Sequence, residues 1–228
     1  MSITKQSWFL VSTLLGIISL GTVVEADAGM VGDTASPAER SCLVLEWMDP
    51  HELLPVGERW IAKETVRVLG AANIDARWDW SRERDREDRT SERSREHRLR
   101  VVFIPSEPSG PGWRLPANTL GATVLDGANA PPAVYIFHKA VVTWLRLERL
   151  DGRTGTNRYL LGRASRALGR IVAHEVAHAI APGEPHARRG LMRAGLDPEF
   201  FLAKGDVMVD ARWKHVLAQG MSQLCAET

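Results

Sequence analysis

The chain has 228 residues, enough for one domain with a hydrophobic core, or for a domain with a small appendage. Its 29 basic and 28 acidic side chains nearly cancel, to a formal net charge of +1, so the composition gives no support for a nucleic-acid partner. A hydrophobic content of 44% and a charged content of 25% are ordinary for a globular protein and do not indicate a disordered one.

The first residues have the pattern of a secretory signal. Lys5 precedes an apolar block, and Ala26 and Ala28 form an A-x-A cleavage site. We therefore expect residues 1–28 to be a signal peptide, which would make the protein exported, either periplasmic or secreted. A membrane anchor is the alternative. Serines, threonines and glycines interrupt the uncharged stretch from Gln6 to Val24, so we expect no stable membrane span after signal cleavage.

After a flexible lead-in over residues 29–40, a single domain is expected over residues 41–228. Short apolar segments that are rich in β-branched residues or alternate with a two-residue period predict strands, and apolar residues at helical spacings predict helices. The predicted strands are 41–48, 73–80, 99–105, 119–125 and 133–137. The predicted helices lie in the later part of 52–72 and in 138–150, 158–180 and 206–221. This order of elements indicates an α+β fold.

One segment and two cysteines stand outside this pattern. Residues 81–98 are almost entirely charged or small and polar, and acids alternate with the arginines. Because that alternation cancels the field that phosphate binding uses, a solvated insertion is favoured over a nucleic-acid-binding arm. Cys42 and Cys225 are the only cysteines, and in an oxidising compartment one disulfide could join them; two unpaired thiols are the alternative.

The most informative stretch is H-E-x-x-H within the helix predicted over 158–180. His174 and His178 are four residues apart, so both imidazoles project from one face and can reach one metal ion. Two neutral imidazoles are typical zinc ligands. Glu175, beside them, is suited to take a proton from a zinc-activated water and to deliver it to a leaving amine.

A hydrolytic zinc site has three protein ligands and one open position. The helix is expected to end at Pro182-Gly183, and Gly183 lets the chain reverse direction without a Cβ penalty. His186, eight residues after His178, is then the favoured third ligand. Glu184 is the alternative, because some zinc sites combine two histidines with a carboxylate.

The segment HEVAHAIAPGEPH, followed by GLM, resembles the metzincin clan of zinc peptidases, whose pattern is H-E-x-x-H-x-x-G-x-x-H and a Met-turn. It is more similar still to exported bacterial zinc proteases in which seven residues separate the second and third histidines and G-[IL]-M follows. That likeness covers roughly residues 60–220, and only its site motif is specific.

The resemblance implies one zinc ion held by His174, His178 and His186, with Glu175 as the catalytic base and acid and Met192 as the Met-turn methionine. It also implies a small catalytic domain with a twisted mixed sheet, packed on an active-site helix and a C-terminal helix.

The resemblance further implies that an antiparallel edge strand of this sheet binds the substrate in extended form. By order along the chain this strand is 119–125, whose main chain would bind peptide at Gly121, Ala122, Thr123 and Val124. Some members have a tyrosine where this chain has Ala194. The oxyanion stabiliser is therefore unassigned. Arg193 is a candidate for supplying positive charge, although a surface arginine is the favoured interpretation.

The expected function is that of an exported zinc-dependent endopeptidase acting on peptide or protein substrates. One alternative is a non-catalytic binding module that holds zinc structurally, although such a module has no need of the Glu175 carboxylate. Another is a zinc hydrolase acting on a non-peptide amide. Cleavage preference, activation and oligomeric state are left open.

Overall fold

The chain divides into residues 1–39 and residues 40–228. A computed structural model describes residues 43–54, 57–80, 96–109, 113, 115–116, 119–125, 132–146, 158–195 and 197–226, all within the second unit. The predicted signal peptide, the predicted lead-in and Cys42 lie outside the described residues, and so do residues 81–95 of the predicted insertion.

The described residues form an α+β fold, as the order of elements predicts. In chain order the elements are β1 (Leu43–Met48), α1 (Glu58–Ala71), β2 (Ala76–Asp79), β3 (His97–Ile104), β4 (Gly121–Val124), β5 (Ala133–Phe137), α2 (His138–Trp144), α3 (Arg158–Ile180), α4 (Pro198–Leu202) and α5 (Ala211–Ala226).

The five strands make one mixed sheet in the order β2-β1-β3-β5-β4. The pairs β1–β2, β1–β3 and β3–β5 are parallel, and β4 pairs antiparallel with β5 at one edge. The segment 119–125 therefore contains the antiparallel edge strand that the sequence led us to expect, over Gly121–Val124.

Helices α1 and α3 pack on the same face of this sheet. On β2 the indole nitrogen of Trp78 donates a hydrogen bond to the carbonyl of Ala62 on α1, at 3.1 Å. On β4 the hydroxyl of Thr123 donates to the carbonyl of Glu175 on α3, at 2.8 Å. Strand register and two-residue alternation place Trp78 and Thr123 on one face. The connecting residues on that face are Leu45, Leu99, Val101 and Val134.

An ion-pair network holds α3 against its neighbours at the middle of the helix. Arg170 on α3 is only 2% exposed, and it donates to the Glu64 carboxylate on α1 at 2.9 Å. It also donates to the main-chain oxygens of Phe200 at 2.6 Å and Gly205 at 3.0 Å. Burying an unpaired guanidinium costs free energy, and these three acceptors offset that cost for Arg170. Because the acceptors must stay in place, the network fixes the position of α3 relative to α1 and α4.

Several predicted boundaries are wrong. The charged insertion ends earlier, because β3 begins at His97, where Arg98 pairs with Glu46 of β1 at 2.7 Å. Helix α2 ends at Trp144 instead of residue 150, and Arg146 has a positive φ of 53°. The last helix begins at Ala211 instead of residue 206, since the preceding chain is irregular and Met208 bonds to Leu191, and it ends at Ala226 instead of residue 221.

Helix α4 was not predicted, although its start has a clear signal. The Asp197 side chain caps the helix by accepting from the amide of Phe200 at 2.8 Å, and Pro198 occupies the first turn. Among the described residues, no helix is long and apolar enough to cross a membrane.

The Glu64 carboxylate gives the network a pH dependence. Burial raises the pKa of Glu64, but the hydrogen bonds that Arg67 and Arg170 donate outweigh burial and hold the pKa below its ordinary value of 4.5. The stability that Glu64 contributes is therefore present above that value and is lost as the pH falls through the lower pKa of the folded state.

We expect Glu64→Gln to lower the free energy of unfolding by about 1.5–3 kcal/mol near pH 7, as for a hydrogen bond to a charged group. Urea unfolding of both proteins between about pH 7 and about pH 3 measures this difference. The difference should shrink in acid; a difference that stays constant across the range would contradict the depressed pKa.

Candidate metal centre

Three histidine nitrogens converge at the C-terminal end of α3. His174 and His178 lie one turn apart on the helix, and their Nε2 atoms are 3.2 Å apart. His186, from the loop after the helix, places its Nε2 3.2 Å from that of His178. The potential ligand atoms of all three lie within 4.8 Å of one another. The structure thus brings together the three histidines that the sequence analysis selected.

The separations between these nitrogens fit the tetrahedral coordination of a metal ion. Two nitrogens that each lie about 2.0–2.1 Å from a zinc ion at a tetrahedral angle are roughly 3.3 Å apart. The two distances from Nε2 of His178 to Nε2 of His174 and of His186, 3.2 Å each, agree with that value. Three converging lone pairs repel one another unless a cation lies between them, so the arrangement is suited to hold a metal ion.

The path of the loop selects His186 over Glu184. Ala181 continues the helical hydrogen bonding to Ala177, and Gly183 then takes a positive φ of 79° that turns the chain. The Glu184 carboxylate accepts from Arg212 on α5 at 3.1 Å. It lies outside the cluster of potential ligands, which contains His186.

The orientation of His174 is set by the turn that follows the loop. Its Nδ1 lies 2.8 Å from the carbonyl oxygen of Leu191. Because a carbonyl only accepts, Nδ1 carries the hydrogen and Nε2 presents a lone pair to the cluster. The amide of Leu191 in turn donates to the carbonyl of Met208 at 2.9 Å.

Met192 lies in this same turn and is 1% exposed. Its carbonyl accepts from the amide of Ala187 at 2.7 Å, just after the third histidine, and Gly190 has a positive φ of 77°. A Cβ on Gly190 would lie 2.4 Å from the Met208 oxygen, so only glycine fits. The methionine predicted for a Met-turn is therefore in a buried turn that contacts the histidine cluster through Leu191.

Burial keeps the two helical histidines neutral. It lowers the pKa of His174 to about 3 and that of His178 to about 4. The rings of His178 and of Trp213 on α5 pack edge to face, with centroids 5.9 Å apart. Near neutral pH both rings therefore have a free lone pair, which is the form that binds metals.

Glu175 lies beside the cluster, between α3 and the edge strand β4. Burial raises its pKa to about 7, although the hydrogen bond with the Thr123 side chain opposes the shift. The Thr123 hydroxyl is 3.2 Å from Oε2 of Glu175. A carboxyl group with a pKa near neutral can both accept and release a proton at that pH.

The edge strand approaches Glu175 closely because it contains a glycine. A Cβ on Gly121 would lie 2.8 Å from the Tyr135 carbonyl oxygen and 3.0 Å from Cγ of Glu175. The four predicted substrate-binding residues, Gly121 to Val124, pair with β5 on one side only, and β4 ends the sheet order. Within the described residues, the other edge of β4 is thus left for an additional strand.

A cavity of about 410 Å³ opens beside the cluster and is lined by His174, Glu175 and His186. Its apolar wall contains four residues that the sequence analysis did not associate with the site: Leu120, Trp144, Ile171 and Phe201. The rings of Trp144 and Phe201 pack edge to face, with centroids 5.3 Å apart. No local motif marks these residues, because they meet only when the helices pack.

Two other predicted residues are placed as follows. Arg193 lines the cavity, where its guanidinium lies 3.6 Å from Asp197 and donates to the carbonyl of Gly195 at 3.4 Å. Cys225, near the end of α5, is disulfide-bonded. The chain's other cysteine, Cys42, lies outside the described residues.

In comparisons with known proteins, no family model matches this chain, no curated protein matches its sequence, and no solved structure matches its fold. The function is therefore argued from the geometry of the site.

The loop geometry predicts which of two variants loses metal binding. We expect His186→Ala to weaken zinc affinity by more than about a hundredfold, because losing a direct ligand should cost more than losing an outer-shell partner. Glu184→Ala is the matched control and should leave the affinity within about threefold. Titration of the metal-free proteins with zinc against a chelator measures both. Loss of affinity in the Glu184 variant alone would show that the carboxylate is the third ligand.

Proposed function

We propose that this protein is an exported zinc-dependent endopeptidase related to the metzincins. The observation that carries the proposal is the convergence of three histidine Nε2 atoms beside Glu175 and an antiparallel edge strand. His174, His178 and His186 bind the metal, and Glu175 transfers the proton.

The donor set fits zinc. Three neutral imidazoles are a common ligand set of catalytic zinc sites, and the cluster in the described residues contains three potential ligands instead of the four of a structural site. A zinc ion bound there supplies Lewis-acid activation of water and of the carbonyl under attack.

The position and the pKa of Glu175 favour a catalytic metal site over a purely structural one. Its carboxylate lies beside the ligand cluster without belonging to it, and burial brings its pKa to about 7. Oε2 of Glu175 can therefore take a proton from a water in the cleft and return it to the leaving nitrogen. A structural zinc site does not require a carboxylate that transfers protons.

The position of the edge strand favours a peptide substrate. An extended peptide can add to the unpaired edge of β4 through main-chain hydrogen bonds, and β4 lies directly against Glu175. The adjoining cavity, with Trp144 and Phe201 in its wall, can take an apolar side chain of that peptide.

The relation to the metzincins is supported by the mixed sheet with its antiparallel edge strand and by the buried turn that contains Met192. The longer loop between the second and third histidines departs from the clan pattern. Gly183, with its positive φ, turns this longer loop so that His186 still reaches the cluster. The proposed export rests on the N-terminal sequence alone.

The decisive variant is Glu175→Gln, which keeps the shape of the side chain and removes the proton acceptor. We expect kcat on a peptide library or casein to fall by about 10²–10⁴-fold, the usual contribution of general acid–base catalysis. Zinc content should stay at one equivalent. Glu184→Gln is the matched control and should keep its activity, because that carboxylate accepts from Arg212 and is not among the residues that line the cavity.

Other outcomes would overturn parts of the proposal. A Glu175→Gln protein as active as the wild type would remove Glu175 from the mechanism. One equivalent of zinc without turnover of any peptide would favour a zinc-holding binding module or a hydrolase of non-peptide amides. Absence of zinc binding would contradict the metal site.

A further inference from the structure

The side chain of Thr123 contacts Glu175 at two points. From the middle of β4, its hydroxyl donates to the main-chain oxygen of Glu175 at 2.8 Å and lies 3.2 Å from Oε2 of the carboxylate. The expected role of β4 involves only its main chain, so this side-chain contact has no part in the proposed peptide binding. It is the only hydrogen bond from a side chain to the Glu175 carboxylate among the described residues.

The hydroxyl of Thr123 links the carboxylate of Glu175 to the helix backbone. A hydroxyl has one hydrogen to donate and two lone pairs to accept with. That of Thr123 lies within hydrogen-bond distance of both the main-chain oxygen and Oε2 of Glu175. One side chain of β4 therefore restrains the Glu175 carboxylate relative to α3.

Close packing restricts Glu175 on the same side. The position of Gly121 leaves only 3.0 Å between an ideal Cβ and Cγ of Glu175, so the strand backbone lies directly against the side-chain stem. Because Gly121 and Thr123 are two residues apart on one strand, they face the same side of the sheet. Together they contact the stem and the end of the Glu175 side chain.

We propose that Thr123 is a positioning residue, whose hydroxyl holds the Glu175 carboxylate in the orientation required for proton transfer. This inference rests on the proposed peptidase function, in which Glu175 moves the proton. It also connects the strand that would receive the substrate to the group that would act on it.

The chain offers a matched control in Thr65. Its buried hydroxyl donates to the main-chain oxygen of Ile61 on its own helix at 2.9 Å and lies 3.2 Å from that of Gly169 on α3. Thr65→Val and Thr123→Val therefore each remove a threonine hydroxyl that contacts the α3 backbone, and only the second removes a contact to a carboxylate. Any effect shared by the two variants reflects helix docking.

The test compares Thr123→Val, Thr123→Ser and Thr65→Val in the zinc-loaded protein. We expect Thr123→Val to lower kcat by about 10–100-fold, as is usual for the loss of an orienting partner, with KM and zinc content nearly unchanged. Thr123→Ser should restore most of the activity, because it restores the hydroxyl. Thr65→Val should lower the melting temperature but not kcat. A wild-type kcat in Thr123→Val, or a Thr123→Ser protein as slow as Thr123→Val, would overturn the proposal.

Crystal structures of the wild type and of Thr123→Val provide a readout that needs no substrate. The proposal expects the Glu175 carboxylate to move or to occupy several rotamers in the variant while the histidine cluster stays in place. An unmoved, singly ordered carboxylate would overturn the positioning role even if the enzyme is active. If the wild type cleaves no peptide, the peptidase proposal fails, and the structures still decide whether Thr123 orients Glu175.

Discussion

The single helical turn between His174 and His178 is the constraint on which the site depends. It places two imidazoles on one face, at a separation of 3.2 Å between their Nε2 atoms, and it leaves Glu175 on the neighbouring side toward β4. Three other parts of the structure place residues against this helical turn. The loop delivers His186, the turn at Leu191 orients His174, and the edge strand supports Glu175.

Burial acts on the proposed metal ligands and on the proposed base in complementary ways. Removing the site from water disfavours charge, so it lowers the pKa of His174 to about 3 and raises that of Glu175 to about 7. The first effect keeps a ligand in its metal-binding form, and the second brings the carboxyl group near the pH at which it must exchange protons. One cause, close packing of α3 between β4 and α5, thus prepares two kinds of group.

The parts of the structure that depend on local spacing could be predicted from the sequence. The bounds of α3 and the helical histidine pair follow from composition, from spacing and from breakers such as Gly183. That the segment 119–125 contains an antiparallel edge strand was expected from the resemblance instead. Spacing alone could not decide whether His186 or Glu184 is the candidate third ligand. The sequence does not show that Glu184 pairs with Arg212, which lies on α5. The apolar wall of the cavity was missed for the same reason: its residues are distant in sequence and meet only through packing.

The central claim is that three histidines hold a zinc ion and leave one position open. The zinc K-edge X-ray absorption spectrum of the zinc-loaded protein tests it most directly, because it reports the ligands themselves and needs no substrate. We expect three imidazole nitrogens at about 2.0–2.1 Å with one further light-atom ligand and no sulfur. A spectrum that shows sulfur ligation, or fewer than three imidazoles, would contradict it.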